Sequence, residues 1–299
     1  MWPIDELVFA LGGKRRSQDA RAVVTGAGSG IGRAFALELA ARGGEVVCAD
    51  IDKDRADETV RLIEQRYGRR AHAFFCDVSR REDVESLAMH AELLFGGAPT
   101  LVINNAGVGI GGKPLGDIGF RDWEWALGIN LWGVVYGCEV FAPQLRAAGR
   151  GGIINVASAA GFAAAPGMAA YNVSKAAVVS LSETMAAELA GSGLAVTALC
   201  PTFVKTNVVA DGRISSGSSR LAAGLMKVSG FSPERVARTT LDAHDRGALY
   251  VLPQLDARVV WHLKRHFPAL YTQALGVLNR VLPQEDSATP DKTDLMTGV

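Results

Sequence analysis

Two hydrophobic periodicities alternate along the chain and predict its secondary structure. Short runs of consecutive apolar residues, typical of strands buried on both faces, occur at 22–25, 45–49, 71–76, 100–103, 152–157, 194–200 and 248–252. Between them, apolar residues recur at helical spacing at 33–41, 53–67, 80–95, 120–148, 171–190 and 232–246. This regular alternation predicts an α/β fold in which helices cover both faces of a doubly wound parallel sheet.

The pattern divides the chain into one domain and three flanking segments. The alternating strands and helices occupy residues 20–252, which we interpret as a single α/β domain. Residues 1–19 have the pattern of a short amphipathic helix, which can pack on the domain, on a second subunit or on a membrane surface. Residues 253–283 contain two further helical patterns, and residues 284–299 have the composition of a disordered tail.

The helical patterns in residues 253–283 combine an apolar face with positive charge. The basic side chains are Arg258, Lys264, Arg265 and Arg280. Docking on the domain or across a dimer is the simplest interpretation. The alternatives are a cover over the substrate and a peripheral membrane contact, which basic amphipathic helices favour.

Composition excludes several functional classes. The 299 residues are 48% hydrophobic, enough for a buried core, and 31 basic side chains balance 31 acidic ones, so no nucleic-acid partner is expected. The four cysteines, Cys48, Cys76, Cys138 and Cys200, lack metal-ligand spacing and indicate buried thiols in a reducing compartment. Acidic residues near the start and the lack of an uncharged apolar run of ~18 residues predict a cytoplasmic protein without a spanning helix.

A glycine-rich turn joins the first predicted strand to the first helix. The turn reads Gly26-Ala27-Gly28-Ser29-Gly30-Ile31-Gly32. Glycines let the backbone approach a pyrophosphate closely and aim its amides at the phosphates. The spacing Gly-x-x-x-Gly-x-Gly differs from the common G-x-G-x-x-G fingerprint, so the strand and helix on either side carry most of the signal.

Asp50 ends the second predicted strand, 18 residues after Gly32. This is near the ~20 residues typical of a carboxylate that binds the adenosine ribose. A carboxylate there would repel a 2′-phosphate, and Ile51 and Asp52 follow it rather than an arginine, so the sequence favours NAD over NADP. The alternative is a strand-end acid that caps the helix of residues 53–67.

Tyr171 and Lys175 share one face if their segment is helical. A lysine beside a phenol favours the phenolate, since a nearby positive charge stabilises the ionised form. An ordinary tyrosine has a pKa near ~10, so a fixed cation is what would let it act as a general acid or base. Taken alone, such a pair is more often a packed tyrosine beside a solvated lysine.

The remaining polar signals lie directly after predicted strands. The residues at these positions are Gly26, Asp50, Asp77, Asn104, Ser158 and Pro201. Because the carboxyl ends of parallel strands meet at one edge of a sheet, where ligands bind in such folds, the sequence predicts a binding site at that edge.

Five motifs in order resemble the short-chain dehydrogenase/reductase family over about residues 20–252. They are residues 25–32, residues 104–107, Asn130, Ser158, and Tyr171 to Lys175. The resemblance implies a Rossmann-type fold and NAD(P)-dependent oxidoreductase activity. It also implies a homodimer or homotetramer formed by the helices near 120–148 and 171–190.

The resemblance further implies roles for individual residues. Tyr171 would be the catalytic acid/base, and Lys175 would lower its pKa and hold the nicotinamide ribose. Ser158 would bind the substrate oxygen, and Asn130 would anchor a water in a proton relay. The implied cofactor contacts are Gly26, Ser29, Gly30, Ile31, Gly32, Asp50, Asp77, Val78, Asn104, Asn105, Ala106, Gly107, Tyr171, Lys175, Pro201, Val204 and Thr206.

One departure from the family is the pair Pro201-Thr202, where Pro-Gly is common. Threonine has less backbone freedom than glycine, so the path beside the nicotinamide can differ, although the chemistry should not.

The substrate signals are apolar. Ser158 and Tyr171 are expected at the reacting oxygen, and Phe162, Met168 and Phe203 at the walls of the site. Residues 159–170 contain no Arg or Lys, which disfavours an acidic substrate. We therefore expect a hydrophobic secondary alcohol or ketone, steroid-like or lipid-like in type, and a mobile lid over residues 207–230.

Two other functional classes remain open. A regulatory or scaffold protein that binds NAD without turnover would be indicated by loss of Tyr171 or Lys175, and both are present. An NAD-dependent lyase or epimerase of this family usually has a longer substrate domain, which is not evident in the sequence.

Overall fold

A computed structural model describes residues 15–206, 212–215 and 230–281. Three predictions lie largely outside these residues: residues 1–14 of the amphipathic segment predicted at 1–19, most of the lid at 207–230, and the tail at 284–299.

Seven parallel strands form the central sheet in the order β3-β2-β1-β4-β6-β7-β9. They are β1 (Arg21–Thr25), β2 (Glu45–Asp50), β3 (Ala71–Phe75), β4 (Leu101–Asn104), β6 (Gly151–Val156), β7 (Leu194–Leu199) and β9 (Tyr250–Val251). Two short strands, β5 (Ile110–Gly111) and β8 (Arg213–Ile214), pair separately in parallel. The chain moves outward from β1 in one direction and then restarts at β4 on the other side. This reversal creates a crevice at the carboxyl ends of the strands.

Ten α-helices connect or follow the strands in the described part of the chain. They are α1 (Gly30–Ala41), α2 (Lys53–Tyr67), α3 (Arg81–Phe95), α4 (Phe120–Leu127), α5 (Gly133–Ala148), α6 (Ala160–Ala163), α7 (Ala169–Glu188), α8 (Pro233–Asp245), α9 (Leu255–His266) and α10 (Pro268–Val281). A π-helical turn, Gly128–Trp132, joins α4 to α5 in one continuous helix. The predicted helix over 120–148 is therefore confirmed, and the predicted loop at 159–170 contains the short helix α6.

Local sequence signals explain where two of these helices begin. Asp52 caps α2 by accepting a hydrogen bond from the Arg55 amide at 3.1 Å. Ser232 caps α8 in the same way through the Arg235 amide at 3.3 Å, and Pro233 opens the first turn. Each cap satisfies an amide that the helix itself cannot pair.

The core lies in two layers, one on each face of the sheet. Val23, Val102 and Ile153 face α3, α5 and α7. Their neighbours Val24, Ile103 and Ile154 face α1, α2 and α8. Successive strand residues point to opposite faces, so these wholly apolar strands are buried on both sides. The predicted α/β fold class, a Rossmann-type doubly wound sheet, is confirmed.

The described start of the chain is docked on the domain. The Ser17 amide and hydroxyl both donate to the buried Asp245 carboxylate at 2.8 Å. Arg42 approaches the same carboxylate at 3.3 Å. Residues 15–20 therefore pack on α8 and the end of α1, whereas the apolar positions of the predicted amphipathic segment lie outside the described residues.

All four cysteines are buried with free thiols. Within residues 15–206, 212–215 and 230–281, no group of three or more His, Cys, Asp or Glu side chains could hold a metal ion. One helix, Phe120–Ala148, is long and apolar enough to cross a membrane by length and composition alone. Since 44% of its most apolar window is buried inside the fold, and since Asn130 and Phe141 lie within the domain, we assign it to the core.

Candidate active site

The glycine-rich turn lies at the carboxyl edge of the sheet, between β1 and α1. Gly26 and Gly30 have φ angles of +65° and +52°, in the left-handed region that favours glycine. A Cβ atom on Gly32 would lie 2.0 Å from the Gly26 carbonyl oxygen, so no side chain fits there. Ser29 makes no side-chain cap to α1, which leaves the first-turn amides available to an anion. The turn thus fits the pyrophosphate of a dinucleotide.

Thr25 and Asn105 tie this turn to the end of β4. The Thr25 hydroxyl accepts hydrogen bonds from the amides of Asn105 at 3.0 Å and Ala106 at 3.1 Å. In return, the Asn105 side chain donates to the Thr25 carbonyl at 2.8 Å. The predicted contacts Asn105 and Ala106 therefore border the turn. Sequence reasoning did not assign Thr25 a role, although its place at the strand end before Gly26 was a usable signal.

Asp50 lies against the glycine-rich turn. One carboxylate oxygen accepts from the Gly28 amide at 2.7 Å and the other from the Asp52 amide at 2.9 Å. Asp52, not Asp50, caps α2, so the capping alternative for Asp50 is wrong. Arg55 borders the same place, since a Cβ atom on Gly28 would lie 2.7 Å from the Arg55 Cβ. The Arg55 guanidinium pairs with Asp52 at 3.1 Å.

Several predicted cofactor contacts have side chains that pack or hydrogen-bond within the protein. The Asn104 amide lies in the core and donates to Asn155 at 2.9 Å. Val78 and Val204 are buried in the two core layers. The Asp77 carboxylate accepts from the amide and hydroxyl of Ser79. Asn104, Val78 and Val204 would therefore contact a cofactor through their backbone. Asp77 can also use its carboxylate.

Thr206 lies beside Gly30, and Gly107 lies beside Asn130 and Lys175. The Thr206 methyl carbon lies 3.1 Å from where a Cβ on Gly30 would be. A Cβ on Gly107 would lie 3.0 Å from Asn130 Oδ1 and 3.4 Å from Lys175 Nζ. Gly107 is therefore the point at which the ends of the Asn130 and Lys175 side chains converge.

Tyr171 and Lys175 lie in the first two turns of α7. Lys175 is only 3% exposed, and its ammonium group donates to the Val156 carbonyl at 2.9 Å. The same Nζ lies 5.8 Å from the centroid of the Tyr171 ring. The interpretation of a solvated lysine is therefore wrong.

Burial dominates the acid–base properties of this pair. It raises the pKa of Tyr171, and a hydrogen bond with Ser158 partly opposes that shift. It lowers the pKa of Lys175 to about 8, and Cys200 acts in the opposite direction. Both shifts favour the neutral form, because burial penalises charge. The lowering of the Tyr171 pKa by Lys175 stays a prediction.

Ser158 and Asn130 complete the predicted catalytic set. The Ser158 hydroxyl accepts from the Ala160 amide at 3.2 Å and contacts the Pro201 carbonyl at 3.4 Å. Asn130 is fully buried in the π-helical turn, where its amide exchanges two hydrogen bonds with the Val108 backbone, at 2.8 and 2.9 Å. Such π turns frequently occur at functional sites, because they re-aim a side chain within a helix.

The predicted substrate residues are spread more widely. The Phe162 ring packs against Trp261 of α9, with centroids 5.1 Å apart. Met168 lines a cavity of about 250 Å³ whose wall also contains Lys113, Asp122 and Arg213. The Phe203 carbonyl accepts from Gln254 at 3.0 Å. Sequence reasoning missed Trp261 and Gln254, which lie beyond residue 252 and match no motif.

The buried ammonium group predicts a pH-dependent stability. Between about pH 8 and 10.5 the unfolded chain keeps the Lys175 proton and the folded chain releases it, so stability from this group rises with pH. The Lys175→Met variant lacks this gain. We therefore expect the free energy of unfolding, measured in urea, to rise more between pH 7.5 and pH 10 in the wild type than in Lys175→Met. A difference that stays constant would contradict a buried, titrating lysine.

Comparisons with known proteins agree with this geometry. A family model described as short chain dehydrogenase matches residues 20–215. A Mycobacterium tuberculosis protein described as probable oxidoreductase EphD is 42% identical over 193 residues, which are 64% of this chain and 32% of that protein. The chain thus spans about a third of the length of the first curated relatives that it matches.

Solved structures extend the likeness to most of the chain. A short-chain dehydrogenase/reductase from Burkholderia phymatum in complex with NAD is 32% identical, with a TM-score of 0.77 over 90% of this chain and 97% of that one. A short-chain dehydrogenase from Sphingobium yanoikuyae in complex with NADPH is 26% identical, with a TM-score of 0.70 over 90% and 98% of the two chains. The glycine-rich turn, the sheet order and the family match lead to one conclusion: the chain belongs to the short-chain dehydrogenase family of oxidoreductases.

Proposed function

We propose that the protein is an NAD-dependent oxidoreductase that interconverts a hydrophobic secondary alcohol and its ketone. A steroid-like or lipid-like molecule is the substrate class that the apolar loop 159–170 favours. The observation that carries the proposal is the buried Lys175 beside the partly buried Tyr171, with the Ser158 hydroxyl beside the phenol, on the sheet edge that holds the glycine-rich turn. A structural role alone would not account for a buried lysine without an acidic partner among the described residues.

The cofactor would be held by the chain's own groups along that edge. The first-turn amides of α1 would bind its pyrophosphate, and the Asp50 carboxylate its adenosine ribose. Lys175 and the backbone near Gly107 and Pro201 would bind the nicotinamide half. When bound, a nicotinamide cofactor accepts or donates the hydride.

The proton transfer is assigned to Tyr171. In the oxidative direction, the Tyr171 phenolate takes the hydroxyl proton of the alcohol as the hydride leaves its carbon. In the reductive direction, the phenol returns a proton to the new alkoxide. Ser158 donates a hydrogen bond to the reacting oxygen, and the Lys175 charge stabilises the phenolate. Asn130, which is fixed by Val108, would hold a water molecule. After reduction, this water would return a proton to Tyr171 through Lys175.

Turnover by a panel of hydrophobic secondary alcohols tests this proposal. With NAD, at least one should raise the absorbance of reduced nicotinamide. Tyr171→Phe should lower turnover by about 10²- to 10⁴-fold, the usual range for loss of a general acid or base. NADH binding, followed by fluorescence, should persist. Tyr67→Phe on α2 is the matched control and should change neither.

The panel also separates the alternatives. If neither alcohols with NAD nor ketones with NADH reacted, while NADH still bound, the regulatory or scaffold class would replace the enzyme. A lyase or epimerase would convert substrate without a net change in reduced cofactor.

Asp50 is proposed to set the preference for NAD. Asp50→Ala removes the charge that repels a 2′-phosphate, so the ratio of kcat/KM for NADP to that for NAD should rise by roughly tenfold or more, about 1.4 kcal/mol or more. Arg55 would then supply the cation for that phosphate, and adding Arg55→Ala should reverse the gain. Asp57→Ala, which removes an exposed carboxylate paired with Lys53, is the control. An unchanged ratio in Asp50→Ala would show that another residue sets the preference for NAD over NADP.

Two surfaces are proposed to make larger contacts. We infer a homodimer or homotetramer through α4–α5 and α7, which expose Phe120, Trp132 and Val173.

The second surface is the outer face of α9 and α10, for which we infer a peripheral membrane contact of a cytoplasmic enzyme. Its exposed apolar side chains recur at helical spacing: Leu255, Val259, Leu263, Phe267, Leu270, Val277, Leu278 and Val281.

Charge favours an anionic membrane over a second copy for this outer face. The two helices contain one acidic residue, Asp256, and four basic ones: Arg258, Lys264, Arg265 and Arg280. Such a surface repels its own copy and attracts anionic lipid.

Flotation with vesicles containing anionic lipid tests the membrane contact. The wild type should float at low salt and less at high salt, because the attraction is screened. A double variant, Leu270→Glu with Val277→Glu, should remain at the bottom. Leu93→Glu, on the equally exposed Leu93 of α3, should float like the wild type. Failure of the wild type to float would refute the contact. So would a change of oligomeric state in the double variant by light scattering, which would show that a second copy covers this face.

A further inference from the structure

Helices α9 and α10 contact both segments that flank the reacting groups. One is residues 201–203, directly after β7, and the other is the α6 turn, which follows Ser158. The family model ends at residue 215, so neither helix belongs to the part of the chain that it matches. Their contacts with the site are a property of this chain beyond the motifs.

The start of α9 is fixed to residues 201–203 by one buried side chain. Gln254 is 3% exposed. Its amide donates to the Phe203 carbonyl at 3.0 Å and accepts from the Thr202 amide at 3.2 Å. The Thr202 hydroxyl also donates to Asp256 at 3.0 Å. Thr202 is not among the described residues with positive φ, so its departure from the family's glycine is accommodated here without backbone strain.

Two aromatic side chains hold the α6 turn from outside. Trp261 of α9 packs edge-on against Phe162, with an interplanar angle of 85°. Tyr271 of α10 donates a hydrogen bond to the Ala163 carbonyl at 3.0 Å. The next residue, Ala164, has a φ of +53°, a conformation that costs free energy for any residue but glycine. A turn of this kind persists only when its surroundings hold it.

A displacement of α6 would reach the reacting groups directly. The Ala160 amide, in the first residue of α6, donates to the Ser158 hydroxyl at 3.2 Å. On the other side, a Cβ on Gly161 would lie 2.7 Å from the Lys175 carbonyl oxygen. The turn therefore lies directly on the backbone of α7 and begins two residues after Ser158.

We propose that Trp261 and Tyr271 are positioning residues for the substrate. They hold α6, and through it the orientation of the Ser158 hydroxyl and of the Phe162 wall, while Gln254 anchors α9 to the site. The inference rests on the proposed function, since it concerns the same site. It assigns part of the selectivity for the alcohol to helices outside the residues that the family model matches.

Kinetics of Tyr271→Phe and Trp261→Leu test this role. For the best alcohol of the panel, kcat/KM should fall about 3- to 10-fold in Tyr271→Phe, as expected for one lost hydrogen bond. In Trp261→Leu, the ranking of alcohols by size should change. NADH binding should match the wild type in both variants, as should all constants in Tyr67→Phe, the matched control. Parallel loss of NADH binding would show a merely structural role and overturn the proposal.

Amide exchange provides a readout that does not require turnover. Peptides covering residues 158–166 should exchange faster in both variants than in the wild type, and peptides from α2 should not. If no alcohol reacts but this difference appears, the proposed function fails while the positioning contact stands. Unchanged exchange in residues 158–166, together with unchanged kcat/KM, would refute the inference.

Discussion

A buried ammonium group with one backbone hydrogen bond is the constraint on which the site depends. Lys175 donates a hydrogen bond to the Val156 carbonyl, and no carboxylate among the described residues pairs with it. Removing an ammonium group from water costs several kcal/mol unless polar groups replace the water. The fold offsets part of that cost with the Val156 carbonyl at the end of β6 and with the Tyr171 ring. The ends of the Lys175 and Asn130 side chains both approach Gly107. The glycine at that point leaves room for a ligand to supply further polar contacts.

The sequence was a good guide wherever a signal was local. Strand ends could be located from apolar runs, so the positions of Gly26, Asp50 and Ser158 at one sheet edge followed from the alternation of elements. The parity of the strands also indicates where the Asn104 side chain lies. It lies two residues after Val102, on the face that packs against α5, so its side chain had to enter the core. The family motif marked Asn104 as a cofactor contact, but it did not indicate whether the side chain or the backbone makes that contact.

Contacts between distant parts of the chain could not be read in the same way. Tyr271 reaches Ala163 across 108 residues, and Trp261 reaches Phe162 across 99. Hydrophobic periodicity cannot predict such a contact, because it indicates only the element in which each residue lies. The π-helical turn at Asn130 is hidden for a related reason. It adds one residue to a helical turn without interrupting the apolar pattern that predicted the helix.

The two faces of the C-terminal helices make the surface and the site interdependent. Helix α10 has 14 residues and buries none of them, although many are apolar. Isolated helices of this length are marginal in water, so α10 depends on contacts at its surface. Its Tyr271 is also the donor that holds α6. If a membrane covers the outer face and orders α10, the Tyr271 hydroxyl is held where it donates to Ala163, so membrane binding and the ordering of α6 favour each other. By the same reciprocity, a substrate that needs an ordered α6 must favour the bound form.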